Sequence, residues 1–298
     1  MSDVIKLSRV LPSAIKFNAK LQLQIPEAVL QLYPKLRAAY GTAEFAHAVA
    51  DVQAQLGLEQ DGFFGPATQQ ALTQSVMPDA DFLVIKGQRV AINTAGLFTI
   101  TDFTENPRYD LHKYGNFSGR KKPVARVVVH HGGFNVDHLA SVLSTSERKV
   151  STHIGLDISH DGKVRVAQYL DLAHLAWHAG KMNEGSIGID FAMQPSIEHQ
   201  QRYGFKVVQN PSSIGPRQIL EFPDATIEAM AQLIAELHRV FNMGAIRPAE
   251  TADERHEDTA LLSSHSGLTV VGHHHFATNG KFDCSYLWHR LVPALRAI

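Results

Sequence analysis

The chain has 298 residues, 44% hydrophobic and 19% charged, with a formal net charge of −1 at pH 7. That is enough to bury a core without staples, in one large domain or two smaller ones, and the near-neutral balance excludes a global pull toward nucleic acid or anionic membrane. A lone cysteine, Cys284, excludes an intrachain disulfide, and no apolar run approaches the ~18–20 residues of a membrane span.

Met1-Ser2-Asp3-Val4-Ile5-Lys6 lacks the basic segment and apolar core of a signal peptide, so the expectation is a protein synthesised in the cytoplasm without a classical export tag. Residues 1–77 are predicted to be helical. An early helix runs through Glu27-Ala28-Val29-Leu30-Gln31-Leu32. Phe45, Val49, Val52 and Leu56, spaced by 4, 3 and 4, mark one face of an amphipathic helix that stops at Gly57. In Gln60-Asp61-Gly62-Phe63-Phe64-Gly65-Pro66-Ala67-Thr68, Asp-Gly supplies a tight turn and Pro66 opens a further helix. By spacing alone this is a small helical bundle.

Residues 78–105 change character. Asp81–Ile85 and Arg89–Ile92 are strand-like around Lys86-Gly87-Gln88, a hairpin that serves as a linker ribbon or as the edge of the next domain. From residue 106 to 298, strands and helices mix. Val124–Val129 is a β-branched run suited to a strand buried on both faces. Ile154–Ile158 and the segment reaching Val164 form a hairpin around Asp161-Gly162, and Ser186–Phe191 is another core strand. Ile227, Met230, Ile234, Leu237 and Phe241 define an amphipathic helix starting near Asp224. The fold expected is α/β (α+β), a mixed central sheet flanked by helices, preceded by the small helical domain. Residues 194–218 and 246–268 read as long surface loops.

Within this frame five short pieces carry chemistry: Arg126–His130, Trp177-His178-Ala179-Gly180, Ser186-Ile187-Gly188-Ile189-Asp190, Gly272-His273 and Lys281-Phe282-Asp283. A strand-like run ends in His130, and His273 follows about 140 residues later. Asp283 stands ten positions beyond His273, with Lys281 two before it. Catalytic zinc needs three nitrogen, sulfur or oxygen ligands and one open position for water. Singly, a strand-end histidine is usually structural and an aspartate in a Gly-rich loop is usually a turn residue. Their convergence on one sheet is hard to reach by chance.

Two resemblances extend this reading. Leu56-Gly57-Leu58 followed by Asp61–Thr68 resembles the peptidoglycan-binding domain of cell-wall hydrolases, a three-helix module, over about 35 residues. The five C-terminal pieces resemble the zinc-dependent N-acetylmuramoyl-L-alanine amidases over residues 120–295, a family that includes AmpD-type enzymes, phage endolysins and peptidoglycan-recognition proteins.

The second resemblance implies a single zinc ion per chain, with His130 and His273 as ligands. His131 points to the other side of its strand, and His274 and His275 are neighbours, behind the site or on the surface. AmpD-type enzymes keep the lysine and aspartate spacing found at Lys281 and Asp283 but follow the aspartate with Pro-Gly, where this chain has Cys284-Ser285. Other branches use cysteine as the third ligand; the retained spacing favours Asp283, with Cys284 as the alternative.

The family's catalytic glutamate falls on Asp190, a methylene shorter, as general base and acid. Thr152, near the position where some relatives carry tyrosine, lacks comparable acidity. Lys281 would stabilise the developing oxyanion. Trp177 and His178 would line the substrate groove, stacking on sugar and hydrogen-bonding the peptide, while His153 is near the site or packed in a strand.

The function implied is hydrolysis of the amide between N-acetylmuramic acid and L-alanine in bacterial peptidoglycan, by an endolysin or an antibacterial effector acting on the wall in the periplasm or outside the cell. The alternatives are a cytoplasmic recycling amidase for anhydro-muropeptides and a non-catalytic peptidoglycan-recognition protein. Peptidoglycan is the expected partner, nucleic acid is not, and any immunity or secretion partner is unidentified.

Overall fold

The computed structural model describes all residues except 1, 22–24, 26, 77–79, 105–116, 146, 148–149, 194–204, 252–266 and 277–280. The chain divides into two compact units, Met1–Phe82 with Gln88–Asn93, and Leu83–Gly87 with Thr94–Ile298.

The first unit contains α1 (Ser2–Asn18), α2 (Glu27–Leu32), α3 (Ala43–Gln55) and α4 (Pro66–Val76). Among the described residues this unit has four α-helices where three were expected, and α1 carries Pro12 within it. Phe45, Val49 and Val52 of α3 bury the predicted stripe against Val29, Leu36, Phe64 and Leu72. Losing a ring such as that of Phe45, fully buried here, costs about 3–5 kcal/mol in typical cores. Thr42 caps α3 by accepting from the Phe45 N–H at 3.1 Å.

The Asp-Gly-Phe-Phe loop is built around buried Gln53. Its Nε2 donates to Asp61 Oδ1 at 2.7 Å and to Thr68 Oγ1 at 2.9 Å, and its Oε1 accepts from the Gly62 N–H at 2.9 Å. Asn18 bridges the same loop, donating to the Gly62 carbonyl at 2.9 Å and accepting from the Phe64 N–H at 3.0 Å. Asp61 and Thr68 therefore serve the loop's internal hydrogen bonding.

β1 (Ala80–Ile85) and β2 (Gln88–Asn93) pair as the expected ribbon. Asp171 accepts from the Lys86 and Gly87 N–H groups at its turn, at 2.8 and 2.5 Å. The strands that follow are β3 (Phe98–Asp102), β4 (Phe117–Gly119), β5 (Arg126–His131), β6 (Ile154–Ile158), β7 (Val164–Gln168), β8 (His174–Ala176), β9 (Ser186–Phe191), β10 (Val207–Gln209), β11 (Gln218–Leu220) and β12 (Val270–Gly272). Six of them make the central sheet in the order β12-β5-β9-β6-β7-β3.

The pairs β12–β5, β5–β9 and β9–β6 are parallel, whereas β6–β7 is the antiparallel hairpin predicted around Asp161-Gly162. The sheet thus starts earlier than residue 106. β3 lies inside the stretch read as a linker ribbon or the edge of the next domain, and it pairs with β7 from Phe98↔Val164 to Asp102↔Gln168.

β6 is buried at every position and β5 at its four central ones, so helices and loops cover both faces. The covering helices are α5 (Val136–Thr145), α6 (Asp224–Phe241) and α7 (Ser285–Arg296). α5 packs Val136, Leu139, Ala140 and Leu143 against Ala167 and Tyr169. Arg290 of α7 donates to the Phe222 carbonyl at 2.6 Å and pairs with Asp224, tying down the start of α6.

Part of the first predicted loop is instead structured, as the antiparallel pair β10–β11. Residues 194–204 of that loop and 252–266 of the second lie outside the described residues. Among the described residues, no helix is long and apolar enough to cross a membrane.

Candidate metal centre

Three neighbouring parallel strands, β12, β5 and β9, end on the same side of the sheet, and His130, Asp190 and His273 stand at those ends. His130 is the fifth residue of β5 and pairs in register with Asp190 of β9. Gly272, last in β12, sits opposite Val129 and hands the chain to His273. Carboxyl ends of parallel strands are the usual seat of a site in such sheets, because loops leaving them converge over one crevice.

His130, His273 and Asp283 each turn one ligand atom to a common point, all within 4.8 Å of one another. His273 Nδ1 lies 2.9 Å from Asp283 Oδ2. That oxygen is buried and makes no hydrogen bond among the described residues. A buried carboxylate oxygen set close against two imidazole ligand atoms is an arrangement that a cation would complete. Two imidazole nitrogens and one carboxylate oxygen are a donor set that fits zinc.

Burial pushes the Asp283 carboxyl up, but the contact with His273 and the neighbouring His131 and Lys281 outweigh it and hold it below the ordinary range. Burial drives His130 well below the ordinary imidazole range, with His178, His273 and Lys281 adding to the effect. The ring is therefore neutral and able to ligate.

Cys284 does not join the cluster. It takes a left-handed conformation, φ 58°, at the start of α7, and its thiol donates to the His130 carbonyl at 2.7 Å. Burial, with Asp283 and Asp190 beside it, raises its pKa well above the usual thiol range, so it stays protonated.

Asp190 is partly exposed at the end of β9, and its carboxyl is pushed up to about 7: desolvation raises it, a hydrogen bond with Thr152 opposes, Asp283 adds and Lys281 subtracts. Lys281 is half-exposed, with Nζ 3.4 Å from His273 Nδ1 and 3.7 Å from Asp283 Oδ2. Trp177 is 37% exposed, an apolar ring left at the surface.

His178 makes contacts that the sequence did not announce. Its Nδ1 lies 2.8 Å from His130 Nε2, and its Nε2 lies 3.1 Å from Ser186 Oγ. Both ring nitrogens are thus engaged within the protein, not turned to a peptide groove. Gly188 leaves room for this ring, since a Cβ there would meet His178 Nδ1 at 2.7 Å.

His131 packs on Phe282 and Tyr286, with Nε2 3.8 Å from Asp283 Oδ1. His274 and His275 are fully buried and not on the surface. His274 Nδ1 contacts the Asp283 carbonyl, and His275 Nδ1 accepts from the Gly272 N–H at 2.8 Å. His153 is a packed histidine: its Nδ1 accepts from the Gly188 N–H at 3.0 Å.

Two imidazoles and a carboxylate converging beside a second carboxylate meet the needs of metal-assisted hydrolysis. Residues 120–285 match the family model for N-acetylmuramoyl-L-alanine amidase. That span exceeds half of the chain, which belongs to this family.

No curated protein matches the sequence. Among solved structures, the chain is similar to the endolysin of the Thermus scotoductus MAT2119 bacteriophage Ph2119, at 15% identity over 66% of this chain and 98% of that one, with a TM-score of 0.37. It is similar to AmpDH3 from Pseudomonas aeruginosa in complex with anhydromuramic pentapeptide, at 19% identity over 58% of this chain and 60% of that one, TM-score 0.37. Drosophila PGRP-LB gives 13% identity over 65% of this chain and 92% of that one, TM-score 0.38.

Proposed function

We propose that the protein hydrolyses the amide bond between N-acetylmuramic acid and L-alanine in bacterial peptidoglycan, with one zinc ion held by His130, His273 and Asp283. The observation that carries this reading is the convergence of those three ligand atoms within 4.8 Å, in a chain of the amidase family.

Zinc bound there would supply Lewis acidity toward the amide carbonyl and an activated water. Asp190, across from His130, takes a proton and delivers it to the leaving nitrogen; a carboxyl near pH 7 suits both halves of that task. Lys281, a cation at the rim, faces the charge that grows on the carbonyl oxygen. Trp177 offers an exposed ring for a sugar face.

The N-terminal unit is read as a peptidoglycan-binding module on its Asp61–Thr68 motif. A tether to polymer favours a wall-degrading enzyme of endolysin or antibacterial-effector kind over a recycler of small soluble muropeptides, and so favours the wall as the place of action. Purified sacculi test the reading. Clearing by the zinc-loaded chain that stops on chelation and returns with zinc supports it; binding to sacculi without any cleavage would instead make this a recognition protein.

A further inference from the structure

A line of hydrogen bonds behind His130 has a direction that the chemistry above does not use. Ser186 Oγ lies 2.6 Å from the Met182 carbonyl oxygen. A carbonyl only accepts, so the serine hydrogen points there. His178 Nε2 lies 3.1 Å from the same Oγ. With its hydrogen committed, the hydroxyl accepts, and Nε2 carries the proton of His178. A neutral imidazole then offers a lone pair at Nδ1, which faces His130 Nε2 at 2.8 Å. His130 donates from Nε2, and the nitrogen left to it is Nδ1. His273 presents that same ring atom to Asp283, at 2.9 Å.

We propose that His178 and Ser186 are positioning residues that fix His130 as its Nε2–H tautomer and so commit its Nδ1 lone pair to the metal. This rests on reading His130, His273 and Asp283 as the zinc site.

The surrounding structure holds the relay in place. Asn183 Oδ1 accepts from the His178 and Ala179 N–H groups at 3.0 and 2.5 Å, fixing the backbone that carries the ring. Ser186, Gly188 and Asp190 alternate along β9 and so share one face. Ser186 anchors the ring of His178, Gly188 leaves room for it, and Asp190 follows as the carboxylate beside His130. The Ser-Ile-Gly-Ile-Asp segment thus serves the ligand as well as the base. Partners of this kind hold a ligating imidazole in orientation, and losing one typically weakens metal affinity about 10–100-fold.

Two measurements test the relay. In metal-free wild-type protein labelled with 15N-histidine, long-range proton–nitrogen correlation spectra should show both His130 and His178 as Nε2–H tautomers. His130 found as the Nδ1–H tautomer overturns the proposal. By competition with a chromophoric chelator, His178→Phe should bind zinc about 10–100-fold more weakly. His178→Gln, whose amide oxygen can accept from His130, should recover most of that loss, and Ser186→Ala should show a smaller loss in the same direction. Wild-type affinity in His178→Phe overturns the proposal; should that variant fail to fold, the wild-type tautomers decide. A wild-type chain that binds no zinc overturns the metal reading and the relay's purpose with it. A zinc-binding chain with the other His130 tautomer overturns the relay alone.

Discussion

Asp190 stands residue for residue across from His130 in the parallel pairing of β9 with β5, so the two side chains leave the sheet on the same face. The proposed general base and the proposed metal ligand, on adjacent strand ends, are held by the sheet itself, not by a loop. Replacing Asp190 with asparagine should therefore remove proton transfer and little else. Cleavage should fall about 10²–10⁴-fold, with zinc still at one per chain by elemental analysis. Undiminished turnover in this variant would remove Asp190 from the mechanism.

Lys281 is half-exposed, so its replacement should leave the fold intact. Lys281→Met should lower kcat about 10²–10³-fold, the usual cost of one oxyanion donor, while zinc content stays unchanged. An effect confined to KM would assign the lysine to substrate binding instead.

The adjacent pair Asp283 and Cys284 separates by metal content. Asp283→Ala should lose zinc, because it deletes one of three ligand atoms. Cys284→Ala should keep zinc and lose only the thiol's bond to the His130 carbonyl, at about 0.5–1.5 kcal/mol. The reverse pattern, read from metal analysis and urea unfolding, would make the thiolate the ligand.

Stability of the metal-free protein should carry the signature of Asp190. Its folded pKa is raised to about 7, against about 3.9 for an unfolded aspartate. Between those values the native state binds a proton that the unfolded state has released. This contribution is fully present below about pH 4 and is lost as pH rises through 7, with a slope of up to about 1.4 kcal/mol per pH unit. Asp283, whose pKa is lowered, acts with the opposite sign and only at the acid end. In thermal melts with chelator present, Asp190→Asn should gain on wild type from pH 4.5 to 8. Parallel curves would contradict the raised pKa of this carboxyl.

Parts of the C-terminal architecture were legible from their apolar patterns: Ser186–Phe191 is β9 to the residue, and α6, marked by apolar residues spaced by three and four, begins at Asp224. α1 was not separately legible, since Pro12 interrupts the local helix signal. β3 was missed because its five residues carry only a short alternation, and its partner β7 lies more than sixty residues on. At the site, the family resemblance implied His130 and His273 with Asp283 in preference to Cys284, and the structure brings the ligand atoms of His130, His273 and Asp283 together.

The bond from His178 to His130 could not be read in the same way. It depends on β5 and β9 lying side by side, and nothing local in Trp177–Gly180 reports that order. Likewise, the sequence left His274 and His275 either behind the site or on the surface, and Trp288 packs against both rings in the interior.

The central claim is that this metal centre cuts the muramoyl–alanine amide, and the chemical ends left in digested sacculi test it most directly. With zinc-loaded protein, new amino-terminal L-alanine should appear in step with clearing, without new reducing sugar ends, and Asp283→Ala should release none. Reducing ends in place of alanine amines, or alanine release unaffected by Asp283→Ala, would contradict the account.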